Sequence, residues 1–547
     1  MNILVMNLTR FGDLLQTAAA VRALAEGGGG KNKIGIICLE NFTAGAELLP
    51  EVTDIFPVPA AKIMALLNRE KQPAHQKTEP RSIWLNGLTS LHRWVEDVRG
   101  RFAPDMVCNL SPTTAASLLS RLLADKAECN GFVLDEFGFS HTTSPWASFI
   151  LGASSSRGTS PYNIVDLFRK VVRTGSVTSD ASLMPVTETA LNAMRQRLFQ
   201  IAPEPPAGFV TLQLGASADV RRWPVPSFTR IGDALWQEFH FLPVLLGTKG
   251  EMPLAEEYAA NARSPFISLM GQTDLMGLAA ALTLSSLCIS NDTGTLHLAS
   301  GLNVPVLGIY LATAQPWDTG PYTENNCSIE PDLACHPCNF GISCPNAFAC
   351  HTAISPEIVL SLASSKLREN RWDAANFAGT PSCLSQKHGA RIWESCRDDH
   401  CFSDLRSLSG HEQDSRTQWM RLQRHLYRQF FDEKDDISFV PPAPKPPCIL
   451  APEHAEPLAH ACEEILALYD ALLQQAEMLN QNPISLVRDR FSRTWQRLAT
   501  SLRAQPDFAA IAFNWQTESM ELTDIKNTLP LVRQYREFFL ALREFLQ

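Results

Sequence analysis

Between residues 209 and 310, short apolar runs alternate with helical stretches, and that alternation leaves few architectures open. Residues 209–214, 243–247, 266–270, 287–291 and 304–310 read as strands. Residues 226–239, 251–262, 274–284 and 293–301 read as the helices between them. Strands this continuously apolar are covered on both faces, as in a parallel sheet whose crossovers are helices. The expected unit is a doubly wound α/β domain.

The same pattern opens the chain. Residues 2–7 (NILVMN) form a compact apolar run, LTRFGD follows, and a helical pattern runs from Leu14 to about Ala25. Gly27 to Gly30 stop that helix, 33–39 supply a second strand, and 105–110 (DMVCNL) a further one. Residues 60–100 are polar and carry tryptophan without a strong period, which reads as an insertion or a mobile lid. A Pro-rich stretch at Pro203 to Pro206 separates the halves and places a hinge near 180–208. The expected division is 1–180 and 205–365 for two facing Rossmann-like domains. An irregular linker at 366–455, with the stiff stretch PPAPKPP (Pro441 to Pro447), and a helical region at 456–547 follow.

Composition narrows the function. A chain of 547 residues exceeds one core, since domains run roughly 100–200 residues. The formal net charge of −10 argues against general nucleic-acid binding, which needs cations to neutralise phosphates. The start MNILVMNLTRFGD is too short and too polar for a signal peptide, and no apolar run reaches the ~18 residues of a membrane span. Fourteen cysteines in such a chain fit a reducing, cytoplasmic compartment better than a disulfide framework.

Chemistry concentrates at Ser290 to Tyr310, SNDTGTLHLASGLNVPVLGIY. A strand ends at Asn291; Asp292, Thr293 and Gly294 turn the chain into a helix. The first N–H groups of that helix lack partners inside it and, with the macrodipole, suit a diphosphate. Gly294 admits a phosphate close to the backbone, and His297 lies one turn from Thr293. On the blander reading Asp292 is an N-cap and His297 an ordinary helix histidine; the combination favours function.

SNDTGTLHLA resembles the donor-site motif of glycosyltransferase family 9, the ADP-heptose:lipopolysaccharide heptosyltransferases. LTRFGDLLQT (Leu8 to Thr17) resembles that family's N-terminal motif, and GASADVRRWP (Gly215 to Pro224) the motif opening its second domain. The three stand in family order over roughly residues 1–365 and imply the GT-B fold. The resemblance implies that Asp13 is the base that takes the acceptor hydroxyl proton in an inverting transfer. The alternative for Asp13 is a helix cap. Arg10 and Gly12 are acceptor-side residues, and Arg10 reads almost equally well as a solvated arginine. Arg221 best matches a basic residue that meets donor phosphate, with Ser217 adding a hydroxyl. Asp292, Thr293, Gly294 and His297 complete the donor side. Where several family members offer an acidic residue to the nucleotide ribose, this chain has Lys249.

Cys335, Cys338, Cys344 and Cys350 form C-x2-C-x5-C-x5-C, with His336 and His351 nearby. Four thiolates suit a structural zinc or iron; free thiols or disulfides are the other readings. No catalytic metal is expected, because a helix terminus and an arginine stabilise the leaving diphosphate. The leading function is heptose transfer from an ADP-heptose-like donor to a lipopolysaccharide core or related saccharide. A protein acceptor and a non-catalytic GT-B scaffold are the alternatives. A dinucleotide oxidoreductase is disfavoured because LTRFGD lacks G-x-G-x-x-G. A homo-oligomer and a peripheral position at the inner membrane are compatible with this reading.

Overall fold

Strand β1 (Asn2–Met6) is apolar except at its first residue, and Ile3 to Met6 are buried on both faces. Such a strand belongs at the centre of a parallel sheet, and the computed structural model places it there. The structure describes residues 1–60, 80–155, 157–172, 179–373, 389–435, 450–482, 484–520 and 524–547. Within 1–143, β2 (Lys33–Leu39), β3 (Val52–Val58), β4 (Met106–Asn109), β5 (Glu128–Leu134) and β6 (Ser140–Thr142) join β1 in the order β3-β2-β1-β4-β5-β6. All pairs are parallel except β5–β6.

The second sheet repeats this order. It comprises β7 (Gly208–Gln213), β8 (Phe241–Leu246), β9 (Ile267–Ser268), β10 (Leu287–Asn291), β11 (Val306–Ile309), β12 (Cys327–Pro331), β13 (Ala390–Arg397) and β14 (Ser403–Ser407). The order is β14-β13-β12-β11-β10-β7-β8-β9, parallel from β12 to β9, with β13 and β14 antiparallel. In each sheet the strand order reverses between the first and fourth strands, β1/β4 and β7/β10, where open α/β sheets bind ligands. The two-sheet GT-B expectation is met, and both sheets lie in one compact unit.

Glycines stop the first long helix as expected. The element Ala18–Gly30 leaves helical geometry at Gly27, and Gly28 has φ +62°. Asn32 Nδ2 closes the end by donating to the carbonyls of Leu24 and Gly27. At Gly131 (φ +92°) a Cβ would stand 2.1 Å from the Asn109 carbonyl oxygen, so only glycine fits between β4 and β5.

Two stretches differ from the expectation. Within the supposed insertion or lid, residues 61–79 lie outside the described residues, but Pro80–Phe102 is a helix. Among its described side chains, Val95, Val98 and Phe102 are buried against the first sheet with Val107 and Phe56, and Leu91 and Trp94 pack there in part. So sparse a stripe gave the sequence little helical period. The supposed linker 366–455 contains the hairpin β13–β14, which extends the second sheet. Its strand ARIWESCR carries three charges, two of which, Arg391 and Glu394, are buried. Arg391 Nε and Trp393 Nε1 both donate to Glu330 on β12, 2.9 and 3.1 Å, so the charges are paired inside the sheet. Pro441 to Pro447 lie outside the described residues.

A second compact unit comprises 144–162, 337–342 and 410–547. Its helices are Pro145–Ser155, Ser415–Asp435, Pro452–Gln481, Ser485–Ala504, Ala509–Met520 and Ile525–Leu546. The helical region expected at 456–547 is present. It is completed by Ser415–Asp435 and by Pro145–Ser155 from the stretch assigned to the first domain. Aromatic contacts explain that recruitment: Trp146 meets Tyr162 and Phe431 edge-on at 5.3 and 5.2 Å, and its Nε1 donates to Asp432 at 3.0 Å.

One buried carboxylate ties the returning chain to the two-sheet unit. Asp166, fully buried in the helix Ile164–Val171, accepts from Tyr322 Oη at 2.7 Å, from the Ser403 N–H at 2.9 Å and from Arg169 at 3.1 Å. Asp166→Ala strands the buried Arg169 guanidinium without this carboxylate. We expect it to destabilise the unit by about 3–5 kcal/mol, against a much smaller loss for Asp166→Asn. Denaturant unfolding of the two variants checks this.

Candidate functional site

The loop after β1 is fixed by Asn7, which is 1% exposed. Its Oδ1 accepts from the N–H and Oγ1 of Thr9, and its Nδ2 donates to the Asp13 carbonyl at 3.1 Å. The chain then turns into the short helix Phe11–Leu15. Asp13 Oδ2 accepts from the Arg10 N–H at 3.2 Å, so Asp13 closes a capping box from inside the helix, and Arg10, not Asp13, is the N-cap residue. Arg10 itself is exposed.

Opposite this loop stands the helix Gly294–Gly301, which follows β10. A Cβ at Gly12 would come 2.8 Å from His297 Cδ2 and 3.4 Å from the Gly294 Cα. A Cβ at Gly294 would stand 2.6 Å from a Phe11 ring carbon. Two helix starts, one from each sheet, therefore meet where neither tolerates a side chain.

Thr293, not Asp292, is the N-cap residue of that helix, and it makes no side-chain cap bond. Asp292 is 8% exposed and pairs with Arg221, whose Nη1 also donates to Ser217 Oγ at 2.9 Å. Arg221 Nε is buried without a partner among the described residues. The neighbouring Arg222 instead pairs with the exposed Asp219 at 2.9 Å. His297 Nε2 lies 3.9 Å from Asp292 Oδ1. Burial lowers the His297 pKa; Asp292 and Asp13 oppose this and Arg221 adds to it, so all three charges reach the imidazole. The structure thus gathers Gly12, Asp13, Ser217, Arg221, Asp292, Thr293, Gly294 and His297 and leaves Arg10 at the surface.

Two residues that the sequence reading passed over build the site. Asn291 is fully buried: its Nδ2 donates to the carbonyls of Leu214 and Gly215, and its Oδ1 accepts from the Trp223 N–H at 3.0 Å. It locks the Gly215–Pro224 loop to the end of β10. Trp223, also fully buried, anchors that loop by donating from Nε1 to the Ile354 carbonyl at 3.0 Å. Glu251 is the second. Its carboxylate accepts from the N–H and Oγ1 of Thr248 at 2.7 and 2.9 Å. A Cβ at Gly215 would overlap it at 1.5 Å. A carboxylate therefore flanks the Arg221 loop although Lys249 holds the position to which the family resemblance assigns one. The signal was T-K-G-E, a capping box directly after a strand.

The cysteines lie on the stretch whose His351 and Ile354 contact the Arg221 loop. Cys335 is exposed, Cys338 and Cys344 are half-buried, and Cys350 is buried. Burial pushes the Cys350 thiol up, and Cys344 and Cys335 lie near enough to add to that. Among the described residues, Cys335, Cys344 and Cys350 do not bring three sulfurs close enough to share one ion. The neighbouring histidines are engaged elsewhere. His336 Nε2 lies 2.9 Å from the Ala314 carbonyl with Nδ1 3.3 Å from Glu330, and His351 Nε2 lies 2.9 Å from the Val220 carbonyl.

Residues 162–347 match the family model of glycosyltransferase family 9 (heptosyltransferase). Lipopolysaccharide heptosyltransferase 1 of Pseudomonas aeruginosa is 24% identical over 168 residues, 31% of this chain and 46% of that protein. Lipooligosaccharide heptosyltransferase 2 of Campylobacter jejuni is 26% identical over 168 residues, 29% of this chain and 51% of that protein. The chain spans about half the length of the curated relatives it matches. A crystal structure of a family 9 glycosyl transferase from Veillonella parvula aligns with a TM-score of 0.50 at 17% identity. It covers 67% of this chain and 97% of its own, a likeness of fold. The two Rossmann-like halves have the GT-B fold, and through residues 162–347 the chain is similar to the heptosyltransferases of glycosyltransferase family 9.

Proposed function

We propose that the chain is an inverting glycosyltransferase that moves a heptose from an ADP-heptose-like donor to a lipopolysaccharide core sugar or related saccharide. The observation that carries the reading is the convergence of Asp13, Arg221, Asp292 and His297 where the two helix starts cross. In this reading the Asp13 carboxylate takes the acceptor hydroxyl proton as that oxygen attacks the anomeric carbon. The bond from that carbon to the diphosphate oxygen breaks, and the nucleoside diphosphate leaves with the electron pair. Arg221 and the Thr293–Gly294 helix start stabilise the charge that develops there. Ser217 and Asp292 hold Arg221 in position, and neutral His297 orients donor or phosphate. Glu251 offers the nucleotide ribose a carboxylate, the role left open at Lys249. An ADP-activated donor places the reaction in the cytoplasm; no helix among the described residues is long and apolar enough to cross a membrane.

A protein acceptor is the second reading, favoured by the helical unit at 410–547, which lies beyond the residues matched to the family. A non-catalytic scaffold would keep the fold without turnover. Incubation with ADP-heptose and mass spectrometry of bound, transferred and hydrolysed sugar separates these readings. Within that experiment, Asp13→Asn should lose about 10²–10⁴-fold in transfer while holding ADP within about twofold of wild type. Arg221→Ala should weaken ADP binding by roughly 10–100-fold, the range of a charged hydrogen bond, measured by calorimetry. Equal turnover by Asp13→Asn, or an unchanged ADP affinity in Arg221→Ala, removes that residue from the mechanism.

A structural metal belongs to the same proposal. Cys335, Cys338, Cys344 and Cys350 would hold zinc or iron as thiolates and steady their own loop, apart from the transfer chemistry. The donor set fits such an ion, and binding would draw the sulfurs together, since metal sites commonly assemble with the metal. Elemental analysis of protein purified without chelators should find about one ion per chain, lost with a fall in melting temperature in Cys335→Ser/Cys338→Ser. Absence of stoichiometric zinc and iron refutes it.

A further inference from the structure

Gln16 lies one turn beyond Asp13 and is 4% exposed, yet neither its Oε1 nor its Nε2 meets a protein partner. A buried primary amide with both polar atoms unpaired is costly and calls for an explanation. Gln16 lines a small cavity together with His297, Ser300 and Thr323, closed on another side by Ala181 and Leu183. The cavity volume is about 20 Å³, enough for one water molecule and too small for a sugar. Its wall is mostly apolar, with polar groups from Gln16, His297, Ser300 and Thr323. Ser300 and Thr323 share a hydroxyl contact of 2.9 Å, and His297 turns Nε2 toward Asp292, leaving Nδ1 for another partner.

The placement follows the helix repeat. Asp13 and Gln16 are three residues apart, as are His297 and Ser300, so each pair lies on one helix face. Asp13 acts on His297 at the reacting end of the crossing, and Gln16 and Ser300 stand one turn deeper. We infer that Gln16 is a positioning residue that holds His297 through one enclosed water, the amide and the Ser300–Thr323 hydroxyls fixing the water and the water fixing the Nδ1 side of the imidazole. A water with two to four polar partners is nearly as good a bridge as a direct hydrogen bond. Which nitrogen of a histidine carries the proton is set by the partner of the other nitrogen. This inference rests on the proposed role of His297 only for its consequence in catalysis; the contact can be tested without it.

The test uses full-length protein labelled with 15N-histidine, with the His297 ring signals assigned through His297→Gln. Gln16→Leu removes both polar atoms, and Gln16→Met does so with an unbranched chain of similar length. In wild type the ring nitrogens of His297 should report one neutral tautomer. In both variants they should converge toward the average of the two tautomers. Transfer should fall about tenfold with ADP affinity unchanged. His297 signals that coincide in wild type and both variants overturn the inference, whatever happens to stability. If wild type transfers no sugar, the proposed function fails and the ring signals alone still decide this inference.

Discussion

The candidate site depends on one steric constraint, the approach of Gly12 to Gly294. Each glycine starts a helix in a different Rossmann-like half, and each lacks room for a Cβ because of residues from the other half. That contact sets Asp13 against His297 and brings Asp292 and Arg221 within electrostatic reach of the same ring. Remote buried bonds serve the same contact: Asn7 shapes the first loop, and Asn291 ties the Arg221 loop to β10. Both asparagines are almost wholly buried and direct their side chains at backbone groups of turns, which need partners when they leave regular structure. The segment at the start of the expected hinge contributes as well. The Leu183 N–H donates to the Gly301 carbonyl and the Met184 N–H to the Leu48 carbonyl, so one short extended segment touches both halves.

Most of the second half was legible because its signals were redundant. Apolar strands, helical spacing, the turn at Asp292–Gly294 and the order of the motifs all pointed to one sheet, and β7, β8, β10 and β11 lie within a few residues of their expected places. The first half was legible at β1, β2 and β4 but not at β3 or β5. VTDIFPV and ECNGFVL interrupt their apolar runs with polar residues, proline or glycine. The sheet extension β12–β14 was hidden for another reason. Glu330, Arg391 and Glu394 sit at buried positions and satisfy one another or nearby groups, so the hydrophobic signal of a buried strand was absent where burial is nearly complete.

The site shows the same division. Residues inside a motif were legible by type, and the structure resolved their pairings: Arg221 with Asp292, Arg222 with Asp219. Asp292 looked like a cap because Asp before a helix commonly caps it. Here Thr293 occupies the cap position and the carboxylate goes to the arginine. Glu251 and Gln16 escaped because their significance is tertiary. Glu251 matters through its contact with Gly215, from a different loop, and Gln16 through the wall it shares with His297.

Charge at the crossing limits how the proposed donor could be held. Asp13 and Asp292 are negative and Arg221 positive, and burial keeps His297 neutral, so these four groups carry a formal charge of −1. A diphosphate entering such a site gains little from net Coulomb attraction, and the chain as a whole, at −10, does not steer it inward. In the proposed reading, directed donors carry the binding: the Arg221 guanidinium and the first N–H groups of the helix Gly294–Gly301. Asp292 then has a use beyond its charge. It fixes the guanidinium, so that little ordering cost would fall on binding the proposed donor. The same arrangement explains why glycine is needed at the helix start. Where attraction is supplied by short-range dipoles and not by net charge, a phosphate oxygen must reach hydrogen-bonding distance of the backbone, and Gly294 leaves room at the helix start only for Phe11 and Gly12.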